Sequence, residues 1–375
     1  MNVLVPFGTR PEIIKLAPIV HALRSDAFNV TVVATGQHHD PGLTDVFYAE
    51  LDVRPDVVFP AEHSTPNAQY ASILLNALEV LERRLPEVVV LLGDTNTVPL
   101  FCLAARRSGI PIAHLEAGLR SFNQTSVEEL NRRVAGACAS VHFAPTELAR
   151  TFLRREGVAD ERIFVVGNPV LDVLRAWDIA SVAPAARSGV LVTAHRATNV
   201  DDPARLEQLV QLLLALAEKV GPVTFPVHPR TATRLHEAGA VERLQVPGIT
   251  LTAPLPYRAM VERLRRAAVV VTDSGGLQEE AAWVGVPVVV LRRSTPRWEG
   301  VSAGTSVLTG LDAERALAAA IRLSSPEAQQ HAVAAPCPYG DGFTGPRVAA
   351  VLRTAGASGL LRFDEPDFVD QQPPS

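Results

Sequence analysis

Five small and β-branched apolar residues, Ala267-Ala268-Val269-Val270-Val271, run straight into Thr272-Asp273-Ser274-Gly275-Gly276-Leu277-Gln278-Glu279-Glu280. An apolar run of that kind has no side to offer water, so it reads as a parallel strand buried on both faces. Beyond it, Leu277, Ala281, Ala282 and Val284 recur at helical spacing. The order strand, tight turn, helix leaves Ser274, Gly275 and Gly276 at a helix N-terminus. Unsatisfied backbone N–H groups and the positive end of the macrodipole there receive anions, and glycine lets the backbone approach a phosphate closely. Glu280, a little over one turn on, is placed to accept hydrogen bonds from a ribose. The stretch points to a nucleotide diphosphate. The plainer alternative is a glycine turn that only ends a strand, since short glycine motifs also occur without ligands.

The same alternation continues along the chain, which favours doubly wound parallel sheets. Strands are expected at Asn2–Val5, Asn29–Ala34, Glu87–Leu92, Pro111–His114, Ser140–Phe143 and Ile163–Val166, and again at Gly189–Thr193, Val223–Val227, Gly248–Leu251, Ala268–Val271 and Pro287–Leu291. Glu12–Leu23 reads as a helix that Pro18 should kink or break. At 375 residues the chain exceeds what one core usually supports. We expect an N-terminal Rossmann-like domain over 1–172, a linker over 173–188 that is rich in Ala, Pro and Ser, and a second Rossmann-like domain over 189–344. A crossing helix, about Gly345–Leu352, and a loose tail ending Gln371–Ser375 complete the chain over 345–375.

A net charge of −5 gives no reason to expect nucleic acid or an anionic membrane as partner. Cys102, Cys138 and Cys337 stand far apart in sequence with no C-x-x-C pair, against a disulfide framework and a thiolate zinc site. The N-terminus reads as a strand followed by charged residues, not as a signal peptide, and no apolar run is long enough to span a bilayer. A cytoplasmic location is expected.

Open α/β sheets bind ligands beyond the carboxyl ends of their strands, and two such domains facing one cleft would share one site. Charged residues fall at those strand exits. Arg10 and Lys15 follow the first strand, Asp94 the strand ending at Leu92, and Glu116 the strand ending at His114, while Glu128 and Glu129 open the next helix. In the second half His195 and Arg196, then His228 and Arg230, follow strands. Each has a plain explanation alone: Asp94 as a helix N-cap, the Glu pair as first-turn acids, Arg10 as a partner of Glu12. Their coincidence at strand exits in both halves favours function.

With these motifs in view, the chain resembles the UDP-N-acetylglucosamine 2-epimerases, of the two-domain glycosyltransferase-B-like fold. The resemblance runs from Phe7-Gly8-Thr9-Arg10-Pro11-Glu12 and Lys15–Pro18 through Thr35–His38, Gly93–Thr95, His114–Arg120, Glu128–Arg132 and Gly167–Pro169. It continues in Thr193–Arg196, Pro226–Pro229, Asp273–Glu280 and Pro338–Gly342. It implies C2 epimerisation of a UDP-N-acetylhexosamine, with UDP eliminated to leave a 2-acetamidoglucal and then added back. It implies Asp94, Glu116, Glu128 and His195 as catalytic groups. Arg10, Lys15, Arg132, His228, Ser274, Gly275, Gly276 and Arg297 look like substrate- and diphosphate-binding positions, and Glu280 like the ribose-binding one. No metal or other cofactor is required, domain closure would gate the site, and a homodimer is implied.

The chain also departs from the family pattern. Val127 stands where a proline usually precedes the Glu pair, and Ala197 and Thr198 replace an arginine and an acid after His195-Arg196. Thr295-Pro296-Arg297-Trp298-Glu299 replaces Thr-Glu-Arg-Pro-Glu. Gln37 and His38 persist from an activator site found in some members, but His39 and Asp40 follow, and residues 62–69 contain no arginine. Weak or absent activation by a second UDP-GlcNAc is therefore expected. Competing possibilities are a hydrolysing epimerase that releases UDP and N-acetylmannosamine, action on another sugar nucleotide, a glycosyltransferase of the same fold, and a non-catalytic sugar-nucleotide binder. Retention of all three acids and His195 weighs against the last two.

Overall fold

The computed structural model describes residues 1–37, 48–60 and 65–363. His38, His39 and Asp40, residues 62–64 and the 371–375 tail lie outside the described residues. Two all-parallel sheets result. The first contains β1 (Asn2–Phe7), β2 (Asn29–Ala34), β3 (Val57–Val58), β4 (Val88–Leu92), β5 (Ile112–Leu115), β6 (Val141–Ala144) and β7 (Ile163–Val165), in the order β3-β2-β1-β4-β5-β6-β7. The second contains β8 (Val190–Thr193), β9 (Val223–Pro226), β10 (Ile249–Thr252), β11 (Val269–Thr272), β12 (Val288–Val290) and β13 (Ser306–Leu308), in the order β10-β9-β8-β11-β12-β13. The doubly wound parallel architecture expected from the sequence is thus present in both halves.

The strand sequences explain the layering. Successive strand residues point to opposite faces, so Val269 and Val271 enter one core with Leu206, Leu209 and Leu213 of the Pro203–Lys219 helix. Val270 enters the other with Leu277, Ala281 and Val284. Helices on both faces therefore demand the unbroken Val runs that the alternating pattern of a one-sided sheet would not supply. The two short edge strands β3 and β13 were not expected. With two and three residues, neither leaves a pattern to read.

The chain forms two compact units. One comprises Met1–Gly118, Gln124–Val166 and Thr344–Ser375, the other Leu119–Asn123 and Gly167–Phe343. In the first, the Arg10–Ser25 helix runs through Pro18 without a break. Proline removes one backbone donor, but the C-terminal helix, Thr344–Ser358, packs along this one and supports it. The contact is close at Gly345, where a Cβ would lie 2.6 Å from the Pro18 carbonyl oxygen. The segment read as a linker belongs to the second unit. Val170–Ala176 is helical, and Trp283 Nε1–H donates to Ile179 O at 2.8 Å. Buried Arg187 donates to the carbonyls of Val284, at 2.7 Å, and Gly285, capping the carboxyl end of the Gly275–Val284 helix where a cation is favoured.

Two cysteines far apart in sequence meet in the fold. Cys102 and Cys138 share a thiol hydrogen bond, and both remain free. That hydrogen bond, aided by the Arg106 charge, brings Cys138 down to about 7 despite partial burial. Burial instead pushes Cys337 up to about 11. At pH 8 iodoacetamide should therefore alkylate Cys138 well before Cys337, read by peptide mass spectrometry; equal rates would refute this. Gly345→Ala should cost about 1–3 kcal/mol in urea unfolding, because its methyl must displace backbone, whereas exposed Ala350→Ser should stay within about 0.5 kcal/mol.

Candidate functional site

In a doubly wound sheet the strand order reverses at one point, and the loops leaving the two flanking strands diverge to open a crevice. In the first unit that point lies between β1 and β4. The loop after β1 leads into the helix carrying Arg10, Glu12 and Lys15. The loop after β4 is Gly93-Asp94-Thr95, and β5 beside it ends at Leu115, just before Glu116. Lys15 and Glu116, both buried, form an ion pair. Glu116 sits at φ +59°, a left-handed backbone that glutamate adopts only at a cost. Backbone strain of this kind clusters at active sites and ligand clamps, which makes Glu116 a candidate functional residue. His114 helps shape this corner, with Nε2–H donating to Gly93 O at 2.8 Å.

Asp94 is held from the Val127–Cys138 helix. Arg132, buried, pairs with Asp94 through one nitrogen and donates to Glu129 through another at 2.7 Å. Asn131 Nδ2–H donates to Asp94 O at 2.8 Å. Of the two first-turn acids, Glu129 is thus the structural one. Glu128 is partly exposed and accepts from Ser126 Oγ, so a hydroxyl fixes it although Val127 replaces the family's proline. Arg10 opens the Arg10–Ser25 helix and is partly exposed. Lys15 thus comes together with Glu116 and Arg132 with Asp94; Arg10 opens the helix that carries Lys15, and Glu128 lies in the first turn of the helix that carries Arg132.

Glu12, quoted in the motif but not expected to act, is central to this corner. It is buried, and its carboxylate accepts from Gly8 N at 3.0 Å, Thr9 N at 2.8 Å and Thr9 Oγ1 at 2.9 Å. It also accepts from Thr95 Oγ1 at 2.8 Å. One side chain therefore ties the exit of β1 to the exit of β4.

The second unit repeats the design between β8 and β11. Ser274 caps the Gly275–Val284 helix, with its Oγ accepting from Leu277 N at 3.5 Å. A Cβ on Gly275 would come within 3.2 Å of the Arg297 guanidinium, so this arginine lies over the helix N-terminus where an anion is favoured. Arg297 is aimed by Glu279, which accepts its Nε–H at 2.8 Å and Asn168 Nδ2–H at 2.9 Å. Glu280 accepts from Tyr257 OH at 2.8 Å. Burial first, and Glu280 second, hold that phenol well above its usual value, so it stays a donor. Tyr257 carried no signal in the sequence. Gly276 follows Gly275 in the helix's first turn.

His195 lies just past β8, and its ring stands 5.4 Å from that of His228, which caps the Pro229–Glu237 helix. His195 Nδ1 is 3.0 Å from Asp273, a fully buried carboxylate at the exit of β11. Asp273 also accepts from His195 N at 3.0 Å, Arg196 N at 2.9 Å and Asn199 Nδ2 at 3.0 Å. Burial alone would push its carboxyl up; the His195 hydrogen bond and charge, with the two backbone donors, outweigh burial and hold it below the usual carboxylate range. Of the departures, Ala197 and Thr198 are exposed at the start of the turn that carries Asn199, and Trp298 Nε1–H donates to Arg120 O at 2.9 Å. Among the described residues no cluster of three or more His, Cys, Asp or Glu side chains is arranged to hold a metal, and no helix is long and apolar enough to cross a membrane.

The UDP-N-acetylglucosamine 2-epimerase family profile matches residues 21–353. Over 367 residues the chain is 35% identical to the UDP-N-acetylglucosamine 2-epimerase of Methanocaldococcus jannaschii, spanning 94% of this chain and 99% of that protein. Over 319 residues it is 34% identical to the UDP-2,3-diacetamido-2,3-dideoxy-D-glucuronate 2-epimerase of Pseudomonas aeruginosa, spanning 83% and 88%. The crystal structure of the M. jannaschii enzyme in complex with UDP-GlcNAc and UDP matches with a TM-score of 0.83 at 34% identity, covering 94% of this chain and 100% of that one.

Burial pushes the Glu12 carboxyl up from 4.5 to about 7 against the pull of its Thr95, Gly8 and Thr9 hydrogen bonds. When protonated it needs an acceptor, and either threonine hydroxyl can turn to supply one. An acid raised on folding binds its proton more tightly in the folded state. Its stabilising contribution is therefore fully present below about 4.5 and is lost as pH rises through about 7. That gap corresponds to roughly 3 kcal/mol. Glu12→Gln should remove this part of the pH dependence, read as urea-unfolding free energies from pH 4.5 to 7.5; parallel profiles for the two proteins would refute it.

Proposed function

The chain belongs to the UDP-N-acetylglucosamine 2-epimerase family, and from that membership we propose that it interconverts UDP-N-acetylglucosamine and UDP-N-acetylmannosamine by inverting C2. The C2 hydrogen of the sugar is not next to a carbonyl, so a free carbanion is out of reach and elimination is the accessible route. A base removes the C2 proton as the C1–O bond breaks; the C–H electron pair becomes the C1=C2 bond and UDP departs with the C1–O pair. UDP then adds back to the 2-acetamidoglucal while C2 takes a proton on the opposite face. No net oxidation occurs and no redox cofactor is called for.

This chemistry asks for acid and base groups reaching both faces of C2, for electrostatic support of departing diphosphate, and for exclusion of water from the glucal. We assign proton transfer to Asp94, Glu116, Glu128 and His195. Arg10, Lys15, Arg132 and His228 contact the substrate from strand exits. Ser274, Gly275, Gly276 and Arg297 receive the diphosphate, and Glu280, oriented by Tyr257, takes the ribose. The observation that carries the assignment is the pairing of Asp94 and Glu116 with Arg132 and Lys15. Each acid is thereby held in one orientation by a buried cation, which suits a group that must meet a single C–H bond. A cytoplasmic location, as the sequence reading expects, and a homodimeric state, as the resemblance implies, complete the proposal.

A second possibility, a different UDP-2-acetamido sugar, is favoured by the 34% identity to an epimerase named for a diacetamido glucuronate. The Trp298 substitution leaves hydrolysis of the glucal as the other alternative outcome. Proton NMR of the protein with UDP-GlcNAc in D2O tests all three. Deuterium at C2 with UDP-ManNAc accumulating and no free UDP is the expected result. Free UDP with N-acetylmannosamine would replace epimerisation by hydrolysis. No exchange with UDP-GlcNAc, but C2 exchange with a UDP-diacetamidohexuronate, would reassign the sugar.

A further inference from the structure

Asp273 lies inside the glycine-rich nucleotide stretch, yet its carboxylate faces away from solvent and is fully buried. The turn after β8 and the Asn199 side chain hold it: it accepts from His195 N at 3.0 and 3.2 Å, Arg196 N at 2.9 Å and Asn199 Nδ2 at 3.0 Å, and it lies 3.0 Å from His195 Nδ1. Its own backbone carbonyl accepts Arg196 Nε–H at 3.2 Å. An ionised carboxylate only accepts, so the ring nitrogen facing it must carry a proton. The net lowering of the Asp273 carboxyl by these donors keeps it ionised.

We propose that Asp273 is a positioning residue for the epimerase reaction: it locks His195 in the tautomer with the proton on Nδ1 and presents Nε2 as the nitrogen that meets substrate. The proposal rests on the function assigned above. The neighbouring ring has the opposite polarity. His228 Nδ1 accepts from Arg230 N at 3.2 Å, so its lone pair lies there and, when neutral, its proton is on Nε2. Two imidazoles 5.4 Å apart are thus set as acceptor and donor by different backbone and carboxylate contacts. The same carboxylate fixes the main chain at His195, so ring orientation and tautomer come from one group. Ser274 follows directly, which couples the aim of His195 to the start of the diphosphate-binding helix.

The test reads the proton directly. Nitrogen-15 NMR of histidine-labelled protein without ligand, with the His195 signals assigned by their loss in His195→Gln, should show Nδ1 protonated and Nε2 bare in the neutral ring. Wild-type protein with the proton on Nε2 would overturn the proposal. In Asp273→Asn the amide can donate to the ring, and the proton should move to Nε2. kcat should then fall 10–100-fold, with KM and UDP affinity changing by less than about threefold. Asn199→Ala, which keeps the charge, should retain the wild-type tautomer. An Asp273→Asn protein with unchanged tautomer and kcat would overturn the proposal. A wild-type protein with the expected tautomer but no epimerisation would uphold the tautomer assignment and overturn only the function.

Discussion

A buried carboxylate that bridges two diverging strand exits recurs at the switch point of each sheet. In the first unit Glu12, entering from the β1 side, reaches Thr95 beyond β4. In the second, Asp273, beyond β11, reaches His195 and Arg196 beyond β8. The physical need is the same in both. At a switch point the chain leaves adjacent strands in opposite directions, and the backbone N–H groups of the two loops point into a crevice with no strand to pair with. A buried N–H without a partner costs about 1–3 kcal/mol. One carboxylate with several acceptor positions can satisfy a set of them at once, and those donors offset part of the cost of its own burial. In the second unit the group held still is His195, to which we assign proton transfer.

The two bridges titrate differently, and the reason lies in their partners. Glu12 is surrounded by neutral donors, two of them hydroxyls that can turn round, so burial dominates and its carboxyl rises to about 7. Asp273 faces backbone N–H groups, which cannot turn, and an imidazole that can carry charge, so the balance falls the other way. Geometry of the donors, more than depth of burial, decides which buried acid stays ionised. The first bridge suits a structural tie, and the second suits a group that must keep a histidine's proton on one side.

Much of this was legible in the sequence because it is local. Unbroken Val runs required strands buried on both faces, Ser274-Gly275-Gly276 after such a run announced the start of a helix, and charged residues directly after strands had only one edge of a sheet to occupy. What could not be read was any partnership across long separations. Asp273 and His195 are 78 residues apart and belong to motifs that looked separate. Arg132 could be seen beside Glu128 and Glu129, but its choice of Asp94 and Glu129 over Glu128 depends on how a helix is rotated against a strand exit. Tyr257 follows a proline in an arginine-rich helix and offers no pattern at all. Pro18 failed as a helix breaker for a related reason: the support for that helix comes from Thr344–Ser358, more than three hundred residues later. The Ala- and Pro-rich segment before β8 looked like a linker because composition cannot reveal that Arg187 caps a helix end nearly a hundred residues away.

The positions where the chain departs from its family follow from the same constraint. Ala197 and Thr198 are exposed, while the next residue, Asn199, is buried and bonds both Asp273 and the carbonyl of Leu291. Val127 is exposed, and the Ser126 hydroxyl beside it donates to Glu128, so a hydrogen bond holds this acid without the proline's restraint on the backbone. Trp298 replaces a proline, which has no side-chain donor, with an indole N–H that finds the carbonyl of Arg120. That tryptophan adds an anchor to the Leu119–Asn123 segment, which belongs to the second unit although both its flanks belong to the first. The departures at Val127 and at Ala197 and Thr198 therefore fall beside the contacts of Glu128 and Asp273 and leave those contacts in place.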